Sequence, residues 1–188
     1  VGYEFGRSSK KALAGVHPDL VSVCHFALDI ATVDFGVHEG VRTAERQALY
    51  LEKGVTQVAF SKHQAQVDGY GHAVDLVPYV GGQLRWEWPL IWPVARAVQM
   101  ACYQLGVPSR WGGAWHLPDF SRLPSQTPQS MNEAYNRNAG KKAFNDGAHF
   151  ELSRVYRPAD GSFVTKIPAD DNQCHPQGSF LSRLLSKS

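Results

Sequence analysis

The chain has 188 residues, enough for one domain with a proper core and too few for two comfortable ones. Apolar residues make up 43% and charged residues 19%, which argues against a disordered or low-complexity polymer. With 19 basic and 17 acidic side chains the formal charge is +2, too small for a broad nucleic-acid-binding field.

Pro18 and Asp19 make a good first helical turn, and Leu20, Val23, Cys24, Ala27, Ile30 and Ala31 recur at helical spacing. Residues 18–31 are therefore expected to form an amphipathic helix. Val33, Phe35 and Val37 alternate with polar neighbours as a short strand. Thr43 to Leu51 reads as a second helix, with Thr43 its N-cap and Gly54 its stop. Residues 72–77 form a strand-like run closed by Pro78 and the Gly81-Gly82 turn. Trp88 to Leu105 is the strongest helix after that: Val94, Ala97, Val98, Ala101 and Leu105 share a face, and Gly106 ends it. Residues 116–143 are polar and rich in Pro, Ser and Asn, a long excursion of the kind functional loops make, with room for a short helix. Ala148, Phe150 and Leu152 alternate with His149 and Glu151 as a half-buried strand. Strands scattered between helices without a regular βαβ rhythm predict an α+β domain.

After Leu152 the chain becomes irregular. Phe180, Leu181, Leu184 and Leu185, with Arg183 and Lys187, would make a short basic amphipathic end, docked on the domain or frayed, or else touching an anionic envelope. The apolar stretches fall short of the ~20 residues a spanning helix needs, and no basic-then-apolar leader opens the chain. Three cysteines with no CxxC pair exclude a disulfide-stapled scaffold and a Cys-rich zinc module. Cys24 and Cys102 fall on apolar helical faces as packing residues, and Cys174, beside His175, is given no role.

Asp75 interrupts Ala73-Val74-Asp75-Leu76-Val77, a strand otherwise apolar on both faces and hence buried on both. A carboxylate there costs several kcal/mol unless it is paired or holds a metal. The plain alternative is an Asp bonded to backbone amides or to an Arg. His63, in Ser61-Lys62-His63, and His149, in Asp146-Gly147-Ala148-His149, change the balance. Each alone is more often a surface or core residue, but with Asp75 they make a two-nitrogen, one-oxygen set that suits zinc and leaves a fourth position for water. Asp146, three residues ahead of His149, is the expected base, provided Gly147 allows a turn that brings both together. Glu151 is a second candidate, more readily a structural partner of His149.

Ser61-x-His63, Gly71-x-Ala73-x-Asp75-Leu76, Trp111-Gly112-Gly113-x-Trp115 and Asp146-x-x-His149-Phe150-Glu151-Leu152 occur in order along the chain. Together they resemble the zinc D-Ala-D-Ala carboxypeptidase/L-alanyl-D-glutamate peptidase (VanY-like) family, most of all its phage endolysins. Val16-His17-Pro18-Asp19-Leu20 and Glu39-Gly40-Val41-Arg42-Thr43-x-Glu45-Arg46-Gln47 also look like that branch. The resemblance covers about residues 8–152.

It implies a single domain with a small, mostly antiparallel sheet flanked by helices, of the hedgehog/D-Ala-D-Ala peptidase type. The catalytic domain would span 1–152, with 116–143 inserted, and 153–188 would extend it. The resemblance implies one zinc ion on His63, Asp75 and His149, with Asp146 as catalytic acid/base. Arg42 would steady substrate or oxyanion, where the residues alone suggest only a surface charge. Ser61 would orient a neighbour or touch substrate, and Trp111 and Trp115 would line the cleft or else serve the core. The implied substrate is the peptidoglycan stem peptide, cut between L-Ala and D-Glu, by a monomer that builds up in the host cytoplasm and reaches the wall after a partner pore (a holin) opens.

Departures from the pattern are visible. The family's ligand spacing is seven, whereas 75 − 63 is twelve, so five extra residues lie between His63 and Gly71. Asp68 and His72 sit nearer to Asp75, but neither follows the Ser-x-His signature. Ala114 stands where many relatives carry Asp. The alternatives are a D,D-carboxypeptidase that trims terminal D-Ala, and a non-catalytic zinc-stabilised wall-binding or structural module.

Overall fold

The computed structural model describes residues 2–56 and 58–153. Cys174 and the expected amphipathic end at 180–187 lie outside the described residues. In chain order the elements are α1 (Arg7–Ala12), α2 (Pro18–Ile30), β1 (Phe35–Glu39), α3 (Ala44–Glu52), β2 (Ala73–Val80), β3 (Gln83–Leu84), α4 (Trp88–Leu105), β4 (Ser109–Trp111), α5 (Pro128–Ala139) and β5 (His149–Leu152). The strands form one antiparallel sheet in the order β1-β2-β5-β4, with β3 turning back onto the end of β2. This is the α+β arrangement that the scatter of strands and helices predicts.

Local chemistry sets the helix ends. Thr43 caps α3 by accepting from the Arg46 N–H, and Gly106 ends α4 in the left-handed conformation at φ 65°. Leu20, Val23, Cys24 and Ala27 of α2 pack with Val94, Val98, Ala101 and Cys102 of α4, and Leu76 and Phe150 of the sheet close the same core. Both cysteines are free thiols inside it. The 116–143 excursion is held down by polar side chains of α4. Gln99 donates to the Phe120 and Leu123 carbonyls, and Arg96 donates to the Pro124 carbonyl at 2.7 Å.

Three features differ from the expectation. β2 runs past Pro78 to Val80, because β5 covers only Ala73–Asp75 and no ladder bond is lost at the proline. β5 is buried along its whole length, since His149 and Glu151 face other protein groups and not solvent. α1 has no apolar stripe to betray it. It is held to β1, where the Ser9 hydroxyl accepts from the Val37 N–H, and its end approaches so closely that a Cβ on Gly40 would lie 1.9 Å from the Ala12 carbonyl oxygen.

Leu20 is fully buried in α2, on the helical side of the core. Leu20→Ala is expected to lower unfolding free energy by about 2–5 kcal/mol in urea titrations while leaving the ligand geometry described below unchanged. A loss under about 0.5 kcal/mol would mean that the α2–α4 contact is not where the stability resides.

Candidate metal centre and its surroundings

Asp75 and His149 are direct cross-strand partners on β2 and β5, so the sheet register alone sets them side by side. His63 arrives from the loop after α3, and its backbone is fixed from several directions. Its N–H donates to the Ser61 hydroxyl, its carbonyl accepts from the Arg42 N–H, and next to it the Lys62 carbonyl accepts from the His72 N–H. The five extra residues fold into a small closed turn, with Gln66 N–H donating to Tyr70 O at 2.8 Å and a bridge between Ala65 and Gly71. The insertion therefore loops out and leaves His63 in place.

Three atoms converge. His63 Nε2 lies 3.1 Å from His149 Nδ1, and each lies 3.2 Å from Asp75 Oδ1. The outer ring nitrogens decide the protonation. His63 Nδ1 is 2.8 Å from the Gly40 carbonyl, which can only accept, so the proton sits there and Nε2 presents a lone pair. His149 Nε2 faces Glu151 Oε2 at 3.2 Å, which likewise leaves the Nδ1 lone pair facing inward. With both rings neutral, three acceptors face one another, an arrangement that a proton on His149 Nδ1 or a metal cation between them would satisfy. A tetrahedral ion with bonds of about 2.0–2.1 Å sets its ligand atoms ~3.3 Å apart, close to the spacing found.

The electrostatics show that the cluster attracts positive charge. Burial alone would raise the Asp75 carboxyl, but the His149 and His63 rings hold it far below the usual carboxylate range. Burial would depress the His149 imidazole, yet hydrogen bonds to Asp75 and Glu151 push it up to about 10. Both shifts have one source: the half-buried Asp75 and the buried Glu151 flank His149 and favour positive charge at that point. Despite its burial, Glu151 is also held below its ordinary value, by His149 and by the Arg110 guanidinium at 2.7 Å.

A second cluster, His17, Asp68 and His72, also brings ligand-type atoms together. Its hydrogen bonding is of the opposite kind. His17 Nδ1 accepts from the Asp19 N–H, which leaves the proton on Nε2, on the side of Asp68 Oδ2 at 3.9 Å, and His72 Nε2 meets the same oxygen at 2.7 Å. Asp68 has one imidazole at hydrogen-bond distance and a second ring N–H on the same side further out. Asp68 and His72, the sequence rivals of His63, thus belong to this cluster.

Asp146 sits on a turn in which its carbonyl accepts from the His149 N–H at 3.2 Å. Burial raises its carboxyl above the ordinary value, and the charges of His149, Asp75, His63 and Arg42 all act on it. Gly147 serves this turn by its size. It has no positive φ, and a Cβ there would lie 2.8 Å from the Trp88 ring. Gly112 is needed for a similar reason, since a Cβ on it would meet the Asp146 carbonyl oxygen at 2.1 Å. Asp146 N–H donates to Gly112 O, and Gly112 N–H donates to His149 O. The Trp-Gly-Gly segment is thereby zipped to the segment carrying Asp146.

Arg42 is buried and no surface charge. It is ion-paired with Glu39, bonded to Gln47 Oε1 at 2.8 Å and stacked 4.8 Å over the Tyr50 ring, with its Nε–H lacking any partner among the described residues. Ser61 acts on His63 through the backbone bond above. Trp115 packs its ring 5.3 Å from that of His149 and also keeps a buried, unpartnered N–H. Trp111 is placed elsewhere: it is fully buried among Trp88, Trp92, Phe120 and Phe150, and its indole N–H donates to the Gly147 carbonyl. Glu39 and Gln47 lie in the segment that carries the resemblance, which gives them no role, and Tyr50 and Arg110 carry no sequence signal, because each acts only through a partner along the chain or across a turn.

The family model described as phage L-alanyl-D-glutamate peptidase matches residues 1–153. The L-alanyl-D-glutamate peptidase of Escherichia phage T5 is 30% identical over 117 residues, covering 62% of this chain and 84% of that protein. Among solved structures, the L-Ala D-Glu endopeptidase ChiX of Serratia marcescens is similar at a TM-score of 0.60 and 32% identity, over 80% of this chain and 90% of that one.

Glu151 fixes the tautomer of His149, so Glu151→Ala is expected to weaken divalent-cation affinity by about 10–100-fold, read by competition with a chromogenic chelator. Unchanged affinity would show that His149 needs no such partner.

Proposed function

The chain belongs to the phage L-alanyl-D-glutamate peptidase family, and on that premise we propose that it is a zinc-dependent endolysin that hydrolyses the L-Ala–D-Glu bond of the peptidoglycan stem peptide. The single observation that carries the metal reading is the triangle of three ligand-type atoms on His63, Asp75 and His149, each within 3.2 Å of the other two. Two imidazoles and one carboxylate are a zinc donor set, and three protein ligands leave room for a reacting group. When bound, the ion supplies Lewis acidity toward the scissile carbonyl and the attacking water.

The chain's own residues do the rest. Asp146 accepts one proton from the water as its oxygen bonds to the L-Ala carbonyl carbon, and delivers that proton to the D-Glu nitrogen as the C–N bond breaks. A carboxyl lifted by burial suits both halves of that task. Arg42 keeps one unpartnered N–H on a buried, immobilised guanidinium, suited to a substrate carboxylate or to the developing oxyanion. Trp115, with its own unpartnered N–H beside His149, walls the site. Ser61 positions His63. No helix among the described residues is long and apolar enough to cross a membrane, and the enzyme is proposed to reach the wall from the host cytoplasm through a pore made by another protein.

Muropeptide mass spectrometry tests the assignment. Digestion should free stem peptides beginning at D-Glu and leave L-Ala on muramic acid, and a chelator should abolish this. Release of terminal D-Ala instead would replace the reading with a D,D-carboxypeptidase, and metal-dependent folding with no cleavage would replace it with a binding module. Asp146→Asn should keep its metal and lose about 10²–10⁴-fold in kcat, whereas His149→Ala should lose both metal and turnover. Wild-type cleavage by Asp146→Asn would remove Asp146 from the mechanism.

A further inference from the structure

Among the described residues nothing hydrogen-bonds or ion-pairs with the Asp146 carboxylate, so its position comes from its backbone. One side of that backbone is zipped to Gly112. The other side is reached by three asparagine amides. Asn132 Nδ2 donates to Asn145 Oδ1 at 2.7 Å, Asn145 Nδ2 donates to Asn136 Oδ1 at 2.8 Å, and Asn136 Nδ2 donates back to Asn132 Oδ1 at 2.9 Å. The circuit is closed: each side chain gives one hydrogen bond and accepts one.

Such a ring is equally satisfied with all three amides reversed, but the Gly113 carbonyl removes that freedom. Asn132 Nδ2 also donates to it at 2.7 Å, and a carbonyl cannot donate in return. Asn132 and Asn136 are four apart on α5 and therefore share a face. Asn145 immediately precedes Asp146. One buried side chain, Asn132, thus joins the inserted helix, the Trp-Gly-Gly segment and the strand approach that bears the acid/base.

We propose that the closed amide ring of Asn132, Asn136 and Asn145 is a positioning device that fixes where the Asp146 carboxylate stands, giving the 116–143 insertion a direct part in the reaction. The proposal rests on Asp146 being the acid/base. Removing any one member breaks two of the three bonds, and any two removals share one bond, so their combined effect falls short of the sum.

Asn136→Ala and Asn145→Ala open the ring at partly or fully exposed positions, and alanine is the better helix former at Asn136. Each should lower kcat by about 10–100-fold with KM and zinc affinity unchanged, and the double variant should lose less than the product of the two single losses. In an Asp146→Asn background the same changes should leave the residual rate where it is. A fall in Tm with wild-type kcat would make the ring a plain tether of α5 and overturn the proposal. So would additive losses, or equal losses with and without the Asp146 carboxylate. If Asp146→Asn itself cleaves at the wild-type rate, the acid/base reading fails instead, and that single variant tells the two failures apart.

Discussion

Two proton positions govern this protein. The Gly40 carbonyl and the Glu151 carboxylate each claim the outer N–H of a histidine, which turns the inner nitrogens of His63 and His149 into acceptors facing Asp75. Without those two bonds the three side chains would be an ordinary hydrogen-bonded cluster, as His17, Asp68 and His72 are. With them, the cluster has a vertex that a proton or a metal cation would satisfy. Ligand identity alone does not separate the two clusters, and the direction of the outer hydrogen bonds does.

The scaffold's main task is to bring the outer partners in. Gly40 reaches His63 because β1 ends where the end of α1 presses against it, and the missing Cβ makes that approach possible. Glu151 reaches His149 because residues two apart on a strand share a face, and Arg110 on the neighbouring strand balances its charge. Burial of β5 on both faces follows from this: the apolar side joins the core, with Phe150 against Trp111 and Phe120, and the polar side is consumed by the site and not by water.

The sequence was readable where one residue determines one local feature. Thr43 as a cap, Gly106 as a stop and the apolar face of Trp88–Leu105 appear as anticipated, whereas the register that sets Asp75 opposite His149 needs the strand order, which the sequence does not spell out. It was less readable where a residue's neighbour lies far along the chain. Arg42 read as a surface charge because its burial depends on the cradle of Glu39, Gln47 and Tyr50. Trp111 read as a cleft or core aromatic because its motif does not say which side of β4 it occupies, and the structure puts it in the core. Gly147 was expected to serve by conformational freedom and serves by size, a distinction that exists only once Trp88 is packed against it.

The proposed metal ligands and the proposed acid/base are held by opposite means, as those two roles would require. A metal ligand must not change its protonation during turnover, so His63 and His149 are locked by direct bonds to their own rings. An acid/base must gain and lose a proton, and strong bonds to its carboxylate would drag its pKa down and blunt both transfers. Asp146 accordingly has a raised pKa and a carboxylate that no described side chain holds, while the backbone on either side is tied down, by Gly112 across the turn and by the residue preceding it. Precision is moved one residue away from the reacting group, so that its position is determined and its proton affinity is left to the cavity around it.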